Sequence, residues 1–137
     1  MGSQRLPNKM SAKLGGFPII EWVLSRCKQS KLINKLILAT SSSPENDYLI
    51  QISKVNLIES FRGSENNVLE RVHDAFFSSD AQIHAEFYGD SPFIDPKLID
   101  QFLNYFLNNI NTIDYLTNSR KTTFPPGNEF SIYKAEC

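Results

Sequence analysis

Two small residues, two cations and a proline crowd the start of the chain: Gly2 and Ser3, then Arg5, Pro7 and Lys9. Gly and Ser leave backbone amides free to face a ligand, and Arg5 and Lys9 add positive charge to the same concave surface. Such a segment is chemically suited to a polyphosphate. A basic, proline-containing terminus is also the composition of a solvated tail, and these residues alone leave both readings open.

The elements downstream must decide what the segment faces. After Leu14-Gly15-Gly16-Phe17, Pro18 suits the first turn of a helix with Ile19, Ile20, Val23, Leu24 and Cys27 on one face. Lys35 to Thr40 reads as a buried strand opening into Ser41-Ser42-Ser43. Ser43 is placed to cap a helix with Pro44 and Glu45 in its first turn, running to about Lys54. Leu57 to Phe61 reads as a second strand with Arg62-Gly63-Ser64 at its carboxyl end. Asn66 or Asn67 is then expected to cap a helix that aligns Val68, Leu69, Val72, Ala75 and Phe76.

Ile83 to Tyr88 reads as a third strand ending at Gly89-Asp90. Asp95-Pro96 opens the strongest helical pattern, through Leu98, Ile99, Phe102, Leu103, Phe106, Leu107 and Ile110. Strands are expected at Ile113 to Thr117 and Glu129 to Tyr133, on either side of a turn-rich loop at Thr122 to Asn128. Strands alternating with helices predict an α/β layered fold with a mostly parallel sheet and helices on both faces. In such folds ligands bind beyond the carboxyl ends of strands, where Ser41, Arg62 and Asp90 all fall in this sequence.

Composition narrows the function. The chain has 137 residues, 41% of them hydrophobic and 21% charged, with a net charge of −1. It fits one domain with a real core and no general attraction to nucleic acid or anionic membrane, so an anion site must come from local charge. No apolar run is long enough to span a bilayer, and the start lacks a secretion signal's hydrophobic stretch, which together predict a cytoplasmic protein. Cys27 and Cys137 do not form a disulfide framework or metal cluster, and Cys27 is expected to be a buried reduced thiol. His73 and His84 lack the carboxylate or Cys spacing of a triad or zinc site and are expected to be structural or exposed.

Five stretches, taken together, carry a resemblance: Met1 to Lys9, Leu14-Gly15-Gly16, Ala39-Thr40-Ser41, Phe61 to Arg71, and Gly89 to Pro96. In order and spacing the chain resembles the spore-coat-polysaccharide-type cytidylyltransferases, relatives of the enzymes that make CMP-activated 3-deoxy-manno-octulosonate and CMP-sialic acid. The resemblance implies a Rossmann-like nucleotide-diphospho-sugar transferase fold in a single, partial domain over residues 1–137. It also implies transfer of CMP from CTP to a sugar, acidic or of a surface polysaccharide, with release of pyrophosphate.

On this resemblance Lys9 and Arg5 are expected to hold and neutralise the phosphates, and the Gly2 and Ser3 amides to cradle them. Ser41, Arg62 and Asn67 are expected on the nucleotide, the last two near its base or ribose, and Asp90 on Mg2+. A turn-forming Asp90, a surface Arg62 and a helix-capping Asn67 are the plainer alternatives.

Two departures from the family pattern bear on catalysis. The apolar strand and Arg that normally precede the position of Met1 are absent, so the sequence is expected to be a fragment without its first, central strand and its carboxyl-terminal part. The homodimer contacts of the full-length form would be lost with that part. Where the family has Pro-Asp-Gly followed by a second acid, this chain has Pro125-Pro126-Gly127-Asn128-Glu129, leaving Glu129 as a weak second metal ligand. A non-catalytic remnant that binds nucleotide weakly or acts as an interaction domain is therefore the rival expectation. A nucleotide-sugar glycosyltransferase is disfavoured because Gly89-Asp90-Ser91 is not an Asp-x-Asp motif.

Overall fold

The computed structural model describes residues 9–120 and 123–136. In chain order it contains strands β1 (Lys13–Leu14) and β2 (Phe17–Pro18), helix α1 (Ile19–Cys27), strand β3 (Ile37–Ser41), helix α2 (Asp47–Val55), strand β4 (Glu59–Gly63) and helix α3 (Val68–Phe77). Strand β5 (Ile83–Phe87), helix α4 (Pro96–Asn108) and strands β6 (Tyr115–Thr117) and β7 (Phe130–Lys134) complete it. These elements fall into two compact units: Lys35–Ala81, and segments 9–34 with 82–136.

In the unit Lys35–Ala81, β3 and β4 pair in parallel from Ile37 opposite Glu59 to Ser41 opposite Gly63, with α2 as the crossover between them. Leu49, Ile58 and Ala75 are buried here. Ser53 is buried too, and its hydroxyl donates to the Ile50 carbonyl at 2.9 Å, so the polar group costs little.

Two boundaries differ from the sequence reading. Leu57 lies in the left-handed region at φ 55°, so the chain turns there and the strand starts only at Glu59. Ser43 offers α2 no side-chain cap, and the segment Pro44–Asn46 is a tight 3-10 turn. The reason lies at Ser41, whose Oγ accepts from Asn46 Nδ2 at 2.6 Å and the Ser43 amide at 3.3 Å, drawing the turn inward.

In the second unit β1 and β2 form a short antiparallel hairpin. Its turn puts Gly15 at φ 60° and Gly16 at φ 92°, which two successive glycines adopt without a Cβ penalty. Trp22 Nε1 donates to the Leu14 carbonyl at 2.8 Å and fastens the hairpin to α1. Ile20, Val23, Leu24 and Cys27 bury one face of α1, while Leu98, Ile99, Leu103 and Phe106 bury one face of α4; the two helices pack together. The Asp95 side chain caps α4 by accepting from the Lys97 amide at 2.9 Å, with Pro96 at the first position, as expected.

The sheet of this unit has the order β5-β7-β6, and both pairings are antiparallel. The α/β layered expectation holds, whereas the expected predominance of parallel pairing does not: among the described pairs only β3–β4 is parallel. The connection explains why. β5 and β6 both run against β7 and hence parallel to each other, joined by the α4 crossover, but among the described residues between β6 and β7 there is no helix, and the chain returns in the opposite direction. β7 thus inserts between two strands that would otherwise be parallel neighbours. Phe130 and Ile132 of β7 are fully buried, and Phe130 meets Phe102 of α4 and Phe87 of β5 at ring separations of 5.3 and 5.5 Å.

Cys27 and the histidines are structural or exposed, as the sequence implies. Burial pushes the Cys27 thiol up to about 12. His84 is buried with its ring 6.1 Å from that of Tyr133, and His73 is exposed on α3, stacked on Phe77.

Candidate functional site

Lys9 opens a single 3-10 turn, Lys9–Ser11, closed by the Ala12 amide donating to the Lys9 carbonyl at 3.2 Å. Asp90 lies just past the carboxyl end of β5, in a turn where the Ser91 amide donates to the Tyr88 carbonyl at 3.1 Å. Gly89 between them in space is what lets the two segments meet. A Cβ there would lie 3.1 Å from Met10 Cε and 3.3 Å from Ile20 Cδ1, closer than side chains normally pack. With only hydrogens on Gly89, Met10 presses against the strand end and Lys9 Nζ reaches Asp90 Oδ2 as an ion pair.

Both side chains keep about a third of their surface open, 35% for Lys9 and 37% for Asp90. An ion pair this accessible adds little stability, but solvent and solutes can reach both partners. Such a pair can separate around an incoming anion and cation, the ammonium to the one and the carboxylate to the other. Gly2, Ser3 and Arg5, the other expected phosphate contacts, lie outside the described residues.

The surroundings of Asp90 are acidic. The Tyr88 hydroxyl is held above its ordinary range first by partial burial and then by nearby groups that oppose its ionisation, Glu86, Tyr115, Glu129 and Asp90. Asp90 and Glu129 therefore act on the same hydroxyl although 38 residues lie between them in the sequence. Glu129 Oε2 accepts from the Gly127 amide at 2.7 Å, in a turn that holds Gly127 at φ 91°.

Among the described residues no three His, Cys, Asp or Glu side chains are grouped to hold a metal by themselves. The donor set nonetheless suits Mg2+, which usually takes one or two carboxylates and completes its octahedron with phosphate oxygens and water. Asp90 is accessible although its Oδ2 is paired with Lys9, and Glu129 keeps a second oxygen beside the one bound by Gly127. Pro126 contributes no ligand.

Glu86 and Tyr88 went unnoticed in the sequence. Their signal is strand alternation: the register of β5, β7 and β6 sets His84 and Glu86 on the same face as Ser131, Tyr133, Tyr115 and Thr117. Burial raises the Glu86 carboxyl above its usual range.

In the unit Lys35–Ala81 the structure brings Ser41 and Arg62 onto adjacent strands, with Thr40 opposite Arg62 and Ser41 opposite Gly63. Ser41 is buried in the turn network after β3. Arg62 Nη1 donates to Asp47 Oδ1 at 2.6 Å and Nη2 to the Ser43 carbonyl at 2.8 Å, closing the same turn. Asn67 caps α3, its Oδ1 accepting from the Glu70 amide at 3.1 Å. Each of the three thus has a structural task, and Arg62 and Asn67 carry theirs out at the surface.

Residues 1–134 match the model of a family described as cytidylyltransferase. The chain is similar to the spore coat polysaccharide biosynthesis protein SpsF of Bacillus subtilis, 30% identical over 87% of this chain and 51% of that protein. A 3-deoxy-manno-octulosonate cytidylyltransferase of Trichlorobacter lovleyi is 32% identical over 79% of this chain and 42% of its own length. The chain thus spans about half the length of these curated relatives. A solved cytidylyltransferase structure from Leptospira borgpetersenii superposes with a TM-score of 0.93 at 34% identity, covering 99% of this chain and 57% of that one.

Proposed function

Because the chain belongs to the cytidylyltransferase family, we propose that it is the nucleotide-handling part of an enzyme that transfers CMP from CTP to a sugar and releases pyrophosphate. The observation that carries this reading is the accessible pair of Lys9 and Asp90. A triphosphate and its metal need a cation and a carboxylate side by side, and this pair supplies both at a strand end. On binding, the pair parts: the Lys9 ammonium turns to phosphate oxygens and neutralises charge that builds on the departing pyrophosphate. Arg5 and the amides of Gly2 and Ser3 are assigned to the same phosphates from the sequence pattern.

Asp90 would hold Mg2+, with Glu129 as a second and weaker contact, and the ion would supply Lewis-acid charge neutralisation at the phosphates. Ser41, Arg62 and Asn67 are assigned to the nucleoside, in addition to the turns they close. The acceptor is proposed to be a sugar of a surface polysaccharide, by similarity to SpsF. Pro126 favours a second reading, a chain that binds CTP but turns over poorly, because the residue beside Glu129's turn brings no carboxylate.

Calorimetric titration of CTP, with ATP, GTP and UTP as controls and with and without Mg2+, tests the proposal. Selective, Mg2+-dependent binding that Lys9→Ala abolishes in a folded chain is the expected result. A Lys9→Ala chain that binds CTP as the parent does would overturn the phosphate role. Binding without pyrophosphate release in an acceptor screen would favour the second reading.

A further inference from the structure

The segment 64–67 connects the end of β4 to the cap of α3, and one side chain of α3 holds it. An Arg71 Nη group donates to the Ser64 carbonyl, and the Arg71 amide donates to the Asn67 carbonyl at 3.2 Å. Within the loop the Asn67 amide donates to Ser64 Oγ at 3.1 Å, and Asn67 Oδ1 accepts from Glu70 at 3.1 Å. The Arg71 side chain therefore holds the Ser64 end of this turn, while its amide makes the helical bond to the Asn67 carbonyl that any residue but proline would make there.

Its aliphatic stem is fixed as firmly. A Cβ on Gly63 would lie 3.0 Å from Arg71 Cγ and 3.2 Å from Arg71 Cβ. A side chain at position 63 would crowd both this stem and the Phe61 ring, whose Cε1 would lie 3.0 Å away, so the Arg71 stem packs against a bare Cα.

This placement has costs that a solvated arginine avoids. Arg71 Nε is buried without a hydrogen-bond partner, and an unsatisfied buried donor is unfavourable. The cation also sits in the first turn of α3, where the helix dipole opposes positive charge. A lysine would carry the same charge with no orphaned Nε, but its ammonium ends one bond short of the Nη that meets the Ser64 carbonyl while the stem lies on Gly63. The costs are accepted where the loop geometry matters.

We propose that Arg71 is a positioning residue for the nucleotide: by fixing the backbone of residues 64–66 between Arg62 and Asn67, it sets nucleotide affinity without itself touching the nucleotide. This rests on the proposed assignment of Arg62 and Asn67 to the nucleoside. Phosphate neutralisation is assigned to Lys9 and Arg5, and the Arg71 guanidinium is committed to the Ser64 carbonyl.

CTP titration into the parent chain and the Arg71→Lys and Arg71→Ala variants, each below its melting range, tests the proposal. It is combined with amide exchange at Asn67 and Glu70 and with added methylguanidinium at non-denaturing concentration. The expected result is CTP binding weakened about tenfold or more in both variants, faster exchange at those two amides, and partial recovery of binding by methylguanidinium in Arg71→Ala. Lys9→Ala should show no such recovery. Arg71→Lys keeps the stem on Gly63 and so stays informative if Arg71→Ala fails to fold.

Unchanged CTP affinity in the folded variants overturns the proposal. So does a loss that only follows the unfolded fraction and is not rescued, since that is what a purely structural role would give. If the folded parent chain itself binds no CTP, the nucleotide reading fails and this proposal with it, an outcome set apart by appearing before any substitution.

Discussion

Replacing Gly89 by Ala should perturb the Lys9–Asp90 pair from within. The added Cβ would meet Met10 Cε at 3.1 Å, Met10 Sδ at 3.3 Å and Ile20 Cδ1 at 3.3 Å, so neighbours must give by a few tenths of an ångström. Ile20 is 1% exposed and cannot retreat, whereas Met10 is half-buried, unbranched and adaptable. Overpacking of a core costs about 1–3 kcal/mol, and a yielding Met places this substitution near about 1 kcal/mol. Met10→Ala alone should cost about 1–2 kcal/mol, less than the 2–5 kcal/mol of a fully buried Met. In the double variant the new Cβ partly fills the space that Met10 leaves, so the two costs should fall short of their sum by about 1 kcal/mol.

Urea unfolding of the four proteins in this cycle measures that coupling, and CTP titration reads its effect on the site. Gly89→Ala should weaken CTP binding because the displaced turn carries Lys9, and Met10→Ala in that background should recover part of it. Strict additivity of the two stabilities would refute the argument that Gly89 exists to admit Met10. Coupled stabilities with unaltered CTP binding would leave the packing argument standing and refute its link to Lys9.

Asn67→Ala should lower stability by about 1 kcal/mol through loss of the α3 cap, read by urea unfolding, and should also weaken CTP binding if the residue faces the nucleoside. The Cys27 thiol titrates at about 12 in place of 9.0 because it is buried. The folded state thus holds this proton more tightly than the unfolded chain, and the stability is fully present below pH 9.0 and lost as pH rises toward about 12. Urea midpoints across that window should fall less steeply in Cys27→Ala than in the parent chain; equal slopes would show the thiol to be accessible.

The parts of the fold that the sequence made legible are those where one local signal suffices. Asp95-Pro96 specifies the start of α4 by a cap and a fixed φ, and Gly15-Gly16 marks a turn that needs positive φ at both positions. The placement of β7 was not legible in the same way. Its pattern, Phe130 and Ile132 buried and Ser131 and Tyr133 alternating with them, identifies a strand but not its neighbours or direction, which depend on how the chain returns from β6. The candidate site divides similarly. Lys9 and Asp90 were singled out from motifs and family spacing, but that they touch depends on Gly89 clearing space for Met10, a packing relation between residues far apart in sequence. Glu86 and Tyr88 carry no motif, and only strand register sets Glu86 on its face.

Gly89 and Gly63 embody the same device in the two units. Each lies at the end of a strand, and at each the missing Cβ is replaced by a side chain from another segment: Met10 at Gly89, Arg71 at Gly63. Neither glycine has a positive φ, so backbone freedom does not account for them; close approach does. The segments so drawn in carry Lys9 in one case and hold the Ser64–Asn67 turn in the other. Strand ends are where backbone pairing stops and geometry would otherwise loosen, and the exposed ion pairs there, Lys9 with Asp90 and Arg62 with Asp47, are too weakly stabilising to set it. Packing against a bare Cα fixes the polar groups more tightly than their own charges do, which leaves those charges available to a ligand.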